Sequence, residues 1–220
     1  MTRHRDGPRA IAFFDVDGTL IPHVSSAQYL ASYLGHLDEV ARAEAAWDAG
    51  LMSARAVEEL DARGWRGTSE AQIRSWLAGL PLIDGISDVL AWCAASDVLP
   101  VLATLAWRPV GEYLCDTFGF AGCCGPTLEV ADGCYTGRSF ESCDEYAKLE
   151  FARHIASQAG LSLDGCIAVG DSRSDLPLFA EVGFAVALNA DAAAQALASA
   201  VVDSADLRVI IPPLAGWLAR

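Results

Sequence analysis

The run Ala10-Ile-Ala-Phe-Phe-Asp15-Val-Asp17-Gly18-Thr19-Leu20 restricts the fold more than any other stretch of the chain. Its apolar half is long enough for one buried strand, and it stops abruptly at two carboxylates spaced i, i+2, followed by Gly-Thr. In open α/β sheets the strand ends are where ligands bind. Two acids stranded there have a clear chemical use. One carboxylate can attack an electrophile and hold a hard divalent cation, while its neighbour exchanges protons with a leaving group and an incoming water. Taken alone, Asp-x-Asp-Gly-Thr also reads as a turn that caps a strand. Three later segments favour the chemistry.

Further apolar runs of strand length lie at Val98–Ala103, Phe120–Cys124, Cys166–Val169 and Phe184–Leu188, with a weaker one at Ala200–Val202. Helical stretches separate them, among them Val110–Phe118, Tyr146–Ala159 with Gly160 as its C-cap, and the alanine-rich segment from Asp191 to Ala200. Strands alternating with helices predict an α/β fold, a parallel sheet with helices on both faces. Two interruptions stand out. Between Pro22 and Ile83 no strand is evident, but amphipathic helices are, at Ala27–Leu34, Asp38–Ala49, Ala54–Arg63 and Glu70–Leu77. They predict a small all-helical cap inserted after the first strand. The second interruption, Thr127–Arg138 around Asp132-Gly133, reads as a β-hairpin. The expected organisation is a disordered lead-in over 1–9, a core of 10–21 and 84–220, and a cap over 22–83.

Composition limits the partners. The 220 residues carry a formal net charge of -14 with no basic run, which argues against nucleic acid and anionic membrane surfaces. No apolar stretch approaches the ~20 residues of a membrane span, and the polar N-terminus lacks the apolar core of a signal peptide. A cytoplasmic location is expected. The seven cysteines show no CxxC pairing, and most read as small, buried or half-buried thiols. Apolar residues on the cap allow a homodimer as readily as a monomer.

Three segments complete the pattern begun by Asp15 and Asp17. Thr104 follows the second apolar strand and can donate a hydroxyl to a phosphoryl oxygen; Trp107 and Arg108 come just after it. Lys148 is the sole lysine in a chain with fourteen arginines. A compact ammonium suits a clamp between a phosphoryl oxygen and a nucleophilic carboxylate, where a guanidinium would be too large. Asp144-Glu145 just before it suit a helix start. Finally, Gly170-Asp171-Ser-Arg-Ser-Asp175 ends another strand with two acids. Asp171 would share a hard divalent cation with Asp15 and the backbone carbonyl of Asp17, a set suited to Mg²⁺. Asp175 is placed to orient Lys148 or a water.

These four pieces, in this order, resemble the haloacid dehalogenase-like (HAD) superfamily of phosphatases, over the whole length from Ala10 to Leu214. The insert resembles its subclass I helical cap, and the hairpin with the Gly-Asp-Ser-Arg-Ser-Asp block looks most like the phosphoserine phosphatase branch. The resemblance implies a Rossmann-like core and Mg²⁺-dependent hydrolysis of a small-molecule phosphate monoester through an aspartyl-phosphate. It implies Asp15 as nucleophile, Asp17 as general acid and base, Thr104 and Lys148 on the phosphate, Gly18 beneath it, and metal ligation by Asp15, Asp17 and Asp171.

Phosphoserine phosphatases carry a Glu shortly after the first motif and Ser-Gly-Gly at the second. Here those regions read Ile21-Pro-His23-Val24-Ser-Ser26 and Thr104-Leu105-Ala106. An ammonium without its partner binds poorly in a closed site. A sugar, cyclitol or polyol phosphate is therefore the favoured substrate, with His23, Trp107 and Arg108 nearest to read it. Phosphoserine, a phosphomutase reaction and a non-catalytic binding role are the alternatives. Trp47, Trp65 and Trp76 read as cap-packing residues.

Overall fold

The computed structural model describes residues 7–220, so most of the lead-in expected over 1–9 lies outside the described residues. Arg9, its last residue, is tied down: its N–H donates to the Asp97 carbonyl at 2.7 Å, and its side chain reaches the carbonyl of Leu218.

In chain order the elements are β1 (Ala10–Phe14), the helices α1 (Ser26–Leu34), α2 (Leu37–Asp48), α3 (Ala54–Gly64), α4 (Glu70–Leu77) and α5 (Ile86–Ala95), then β2 (Val98–Leu102) and α6 (Arg108–Phe118). The hairpin β3 (Thr127–Ala131) and β4 (Cys134–Glu141) follows, then α7 (Glu145–Gln158), β5 (Ile167–Gly170) and α8 (Leu176–Phe179). The chain closes with β6 (Phe184–Leu188), α9 (Ala192–Leu197), β7 (Ala200–Val202) and α10 (Ile211–Leu218). The main sheet is parallel, in the order β2-β1-β5-β6-β7.

Every residue of β1 is buried. Alternate side chains serve opposite faces: Ala10, Ala12 and Phe14 join one apolar cluster, Ile11 and Phe13 the other. The first cluster takes in α5, α6 and α10, the second α7, α8 and α9. A continuous apolar strand sequence is what coverage on both faces requires.

The expected third strand, Phe120–Cys124, is a correction. The segment runs beside β2 and exchanges backbone bonds with Pro100 and Leu102, but only the single bridge Leu102–Cys123 forms. Glycines 119, 122 and 125 and Pro126 punctuate it too closely for a ladder to extend.

Between β1 and α5 the chain leaves the sheet as α1–α4 and returns. Exit and re-entry lie side by side, since the Ile83 N–H donates to the Leu20 carbonyl at 2.9 Å. Ser25, Ser53 and Ser69 cap α1, α3 and α4 through their side-chain oxygens. Asp132 and Gly133, at φ 52° and 73°, make the tight turn of the β3–β4 hairpin. That hairpin leans on the helical insert: the Gly67 N–H donates to the Tyr135 carbonyl, the Tyr135 N–H donates to the Thr68 carbonyl, and the Trp65 and Tyr135 rings meet edge-on at 5.0 Å. Trp65, Ile73 and Leu77 belong to the same apolar cluster as Phe14, so insert and sheet share one core. No helix among the described residues is long and apolar enough to cross a membrane.

Candidate active site

A cleft of about 410 Å³ opens where the ends of β1, β2 and β5 face the helical insert. Asp15, Asp17, Gly18, Thr104 and Asp171 lie on its floor, with Lys148 and Asp175 directly behind them.

Asp15 follows β1 and is fixed by its own N–H, which donates to the Val169 carbonyl at 2.9 Å. Lys148 projects from the first turn of α7, a helix capped by Asp144, whose carboxylate accepts the N–H groups of Tyr146 and Ala147. The ammonium is fully buried. It lies 3.1 Å from Asp15 Oδ1 and donates to Asp175 Oδ1 at 2.5 Å. Burial opposes its charge, but the two facing carboxylates outweigh burial and hold its pKa above the ordinary lysine value. Asp175 is used on both oxygens, since Oδ2 accepts the N–H groups of Asp171 and Ser172 at 3.0 and 3.2 Å. It therefore positions Lys148 and the loop after β5.

Asp171 is less engaged. Its carboxylate's only hydrogen bond among the described residues comes from the Thr19 hydroxyl at 3.2 Å. Burial first, then Asp15 and Asp175, push its pKa up to about 9. The backbone approach beneath it needs glycine: Gly18 sits at φ 82°, and a Cβ there would fall 2.1 Å from Asp171 Oδ2. Asp15, Asp171 and Asp175 can each turn one carboxylate oxygen to within 4.8 Å of the others. Two buried acids and a half-buried one against one ammonium leave negative charge unmet. An all-oxygen donor set of this kind fits a hard divalent cation such as Mg²⁺.

Asp17 lies apart from Lys148. The Ser26 N–H and hydroxyl grip its two oxygens at 2.6 and 3.0 Å, and burial pushes its pKa up to about 7 against those bonds. Thr104 Oγ1 accepts the Ala106 N–H at 3.0 Å, which leaves the hydroxyl proton free to donate into the cleft. Its own N–H donates to Cys124 Sγ at 3.2 Å. The Gly18 N–H is taken by the Ile21 carbonyl at 2.9 Å and is no donor to a ligand.

The remaining expected residues divide. His23, exposed and at φ 71°, stands at the cleft mouth. Trp107 lines the cleft, but its indole N–H is committed to Asp61 Oδ2 at 2.6 Å. Arg108 does not line the cleft; its side chain turns back to the Cys123 carbonyl and to Glu112. Trp65 and Trp76 pack as expected, the latter stacked on Tyr33. Trp47 instead lines the cleft, with the Arg173 guanidinium 4.3 Å from its ring centroid.

Four residues escape a reading by motif: Ser26, Cys124, Glu58 and Asp61. The last two had a signal. Val57, Glu58, Asp61, Ala62 and Trp65 form the inward stripe of α3 at helical spacing, so two acids stand on an apolar face.

Parallel strands converging on two strand-end acids, a buried lysine and a free hydroxyl define an α/β enzyme fitted for phosphoryl-group chemistry. Comparison with known proteins narrows the class. The family model for haloacid dehalogenase-like hydrolases matches residues 12–180. The chain belongs to the haloacid dehalogenase-like hydrolase family. It is 30% identical to a phosphoserine phosphatase of Mycobacterium tuberculosis, over 86% of this chain and 68% of that one. It is 25% identical to the phosphoserine phosphatase of Albidiferax ferrireducens, over 88% and 84%. Among solved structures, a phospho-aspartyl intermediate analogue of phosphoserine phosphatase superposes with a TM-score of 0.82 at 20% identity, covering 94% of this chain and 99% of that one.

Proposed function

We propose that this chain is a Mg²⁺-dependent phosphatase that hydrolyses a small-molecule phosphate monoester through an aspartyl-phosphate on Asp15. One observation carries the reading: the strand-end carboxylate Asp15 lies 3.1 Å from the chain's single lysine, with the Thr104 hydroxyl turned into the same cleft. Asp15 and Asp171, with the backbone carbonyl of Asp17, would hold the cation. When bound, it supplies positive charge that lets a dianionic ester approach an ionised carboxylate.

The protein's own groups divide the work. Lys148 pairs with Asp15 and faces the transferring group, and Thr104 donates to one of its oxygens. Asp17, with a pKa near neutrality and held by Ser26, delivers its proton to the departing alkoxide as the phosphorus–oxygen bond breaks. It then takes a proton from the water that attacks the aspartyl-phosphate, which releases phosphate and restores Asp15. The helical insert over the cleft limits access of bulk water.

The names of the relatives favour phosphoserine. The cleft favours a leaving group without a carboxylate, because no Arg or Lys lines it among the described residues while Glu44, Glu58 and Asp61 do. The test is phosphate release with Mg²⁺ from a panel of phosphate esters, phosphoserine and polyol phosphates included, beside an Asp15→Asn blank. Turnover that vanishes in the variant supports the reading. Turnover that persists in Asp15→Asn removes Asp15 as nucleophile.

A further inference from the structure

The wall of the cleft above the phosphate-handling acids comes from α2, α3 and the segment before α1, and its charge has one sign. Glu44, Asp48, Glu58 and Asp61 line it, and His23 is the one basic-type side chain there among the described residues. Three of these acids have ordinary explanations. Asp61 accepts from His36, Trp65 and Trp107; Glu44 accepts from Ser25 and Gln28; Asp48 is exposed.

Glu58 has no such explanation. It is 7% exposed, its Oε1 accepts the Cys143 N–H at 3.0 Å, and its Oε2 has no hydrogen-bond partner. An ionised carboxylate has room for about four hydrogen bonds, and burying one this poorly supplied is costly. Burial pushes its pKa up despite Ser142 and Cys143, which act the other way. A cation arriving in the cleft would supply what the fold withholds.

The place of Glu58 says which part of the substrate it meets. Cys143, whose N–H it accepts, also puts its Sγ 3.8 Å from the Thr104 carbonyl. Thr104 belongs to the phosphate end. Glu58 lines the same cleft from the helical insert, on the side left to the carbon skeleton of the leaving alcohol.

We propose, resting on the phosphatase reading above, that the leaving group is an amino alcohol without a carboxylate, its ammonium seated on Glu58. A neutral polyol would leave the buried charge uncompensated. A carboxylate beside the amine would bring like charge against Glu44 and Glu58.

The test compares ω-aminoalkyl phosphates of two to four carbons with the ω-hydroxyalkyl phosphates of equal length, together with phosphoserine and p-nitrophenyl phosphate. For the best-fitting length, kcat/KM for the amine should exceed that for its hydroxyl twin at least tenfold, with phosphoserine behind the amine. Glu58→Gln should bring the amine-to-hydroxyl ratio to about twofold or less. Glu59→Gln, on the exposed side of α3, should leave both the ratio and the activity unchanged. Hydroxyl twins matching or beating every amine, while p-nitrophenyl phosphate is turned over, overturn this inference and leave the phosphatase standing. Failure of all esters, p-nitrophenyl phosphate included, sinks the phosphatase reading and this inference with it. If Glu58→Gln does not fold, the wild-type ratios decide alone.

Discussion

Lys148 has no contact with solvent and touches two carboxylates, one on which the chemistry is proposed to occur and one, Asp175, that gives it one oxygen and the loop after β5 the other. Its removal strands buried charge. Lys148→Met should destabilise the metal-free protein by about 3–5 kcal/mol, the usual penalty for breaking a buried pair from one side. Lys148→Met with Asp175→Asn should recover part of that loss in urea unfolding. A double variant no more stable than the single one would show that Asp175 is not the stranded group. Gly18→Ala offers a second check. The φ of 82° and the 2.1 Å approach to Asp171 leave no room for a Cβ, so phosphate release should fall at least tenfold at fixed Mg²⁺. At this scale Asp15, Asp17, Thr104 and Asp171 were legible because a strand end has few structural uses for such groups, and Lys148 because it is the single lysine beside fourteen arginines. Ser26 and Cys124 were not, because a serine near a helix start and a cysteine in an apolar run have ordinary roles that sequence cannot separate from gripping Asp17 or Thr104.

Helix α3 meets its surroundings through two buried acids, Glu58 and Asp61. Asp61 joins the α1–α2 corner, through His36, to the loop after β2, through Trp107. His36 has its pKa raised, chiefly by the hydrogen bond to Asp61, with Glu39 adding to it and burial opposing. A raised folded-state pKa stabilises the fold fully below the unfolded histidine value of about 6.5, and the gain is lost as pH rises through the folded value. The melting-temperature gap between wild type and His36→Gln should therefore be widest near pH 6 and shrink by pH 9; a gap independent of pH refutes the linkage. Trp107→Phe deletes the 2.6 Å bond to a buried acceptor and should cost about 1–3 kcal/mol in chemical denaturation. Sequence periodicity found the helices of the insert to within a few residues because their apolar stripes are regular. It overextended at Phe120–Cys124, where hydropathy alone resembles a strand and the surrounding glycines prevent a ladder.

Over the whole molecule, a net charge of -14 and an acid-lined cleft repel the dianionic ester that the site is proposed to consume. Screening weakens that repulsion over a Debye length of about 10 Å at 0.1 M salt. With saturating Mg²⁺, kcat/KM for a hydroxyalkyl phosphate should rise roughly two- to fivefold from 10 to 150 mM NaCl. A fall over that range would mean that local positive charge already governs approach. The parallel sheet with both faces covered was legible from the alternation of apolar runs and helices. The shared core of insert and sheet was not, since it depends on which faces of α3 and α4 meet Phe14 and its neighbours.

The register of β1 has a consequence for how the chain comes into being. Strand β1 pairs Ala10 with Val98 and Ala12 with Ile167, so after leaving the ribosome it must wait for the whole helical insert and α5 before its first edge is covered. Until then Ala10–Phe14 is an apolar ribbon with both edges open, the form of segment that nascent-chain chaperones hold and that aggregates when they do not. Asp15 and Asp17, immediately after it, also place charge beside the most adhesive stretch of the newborn protein.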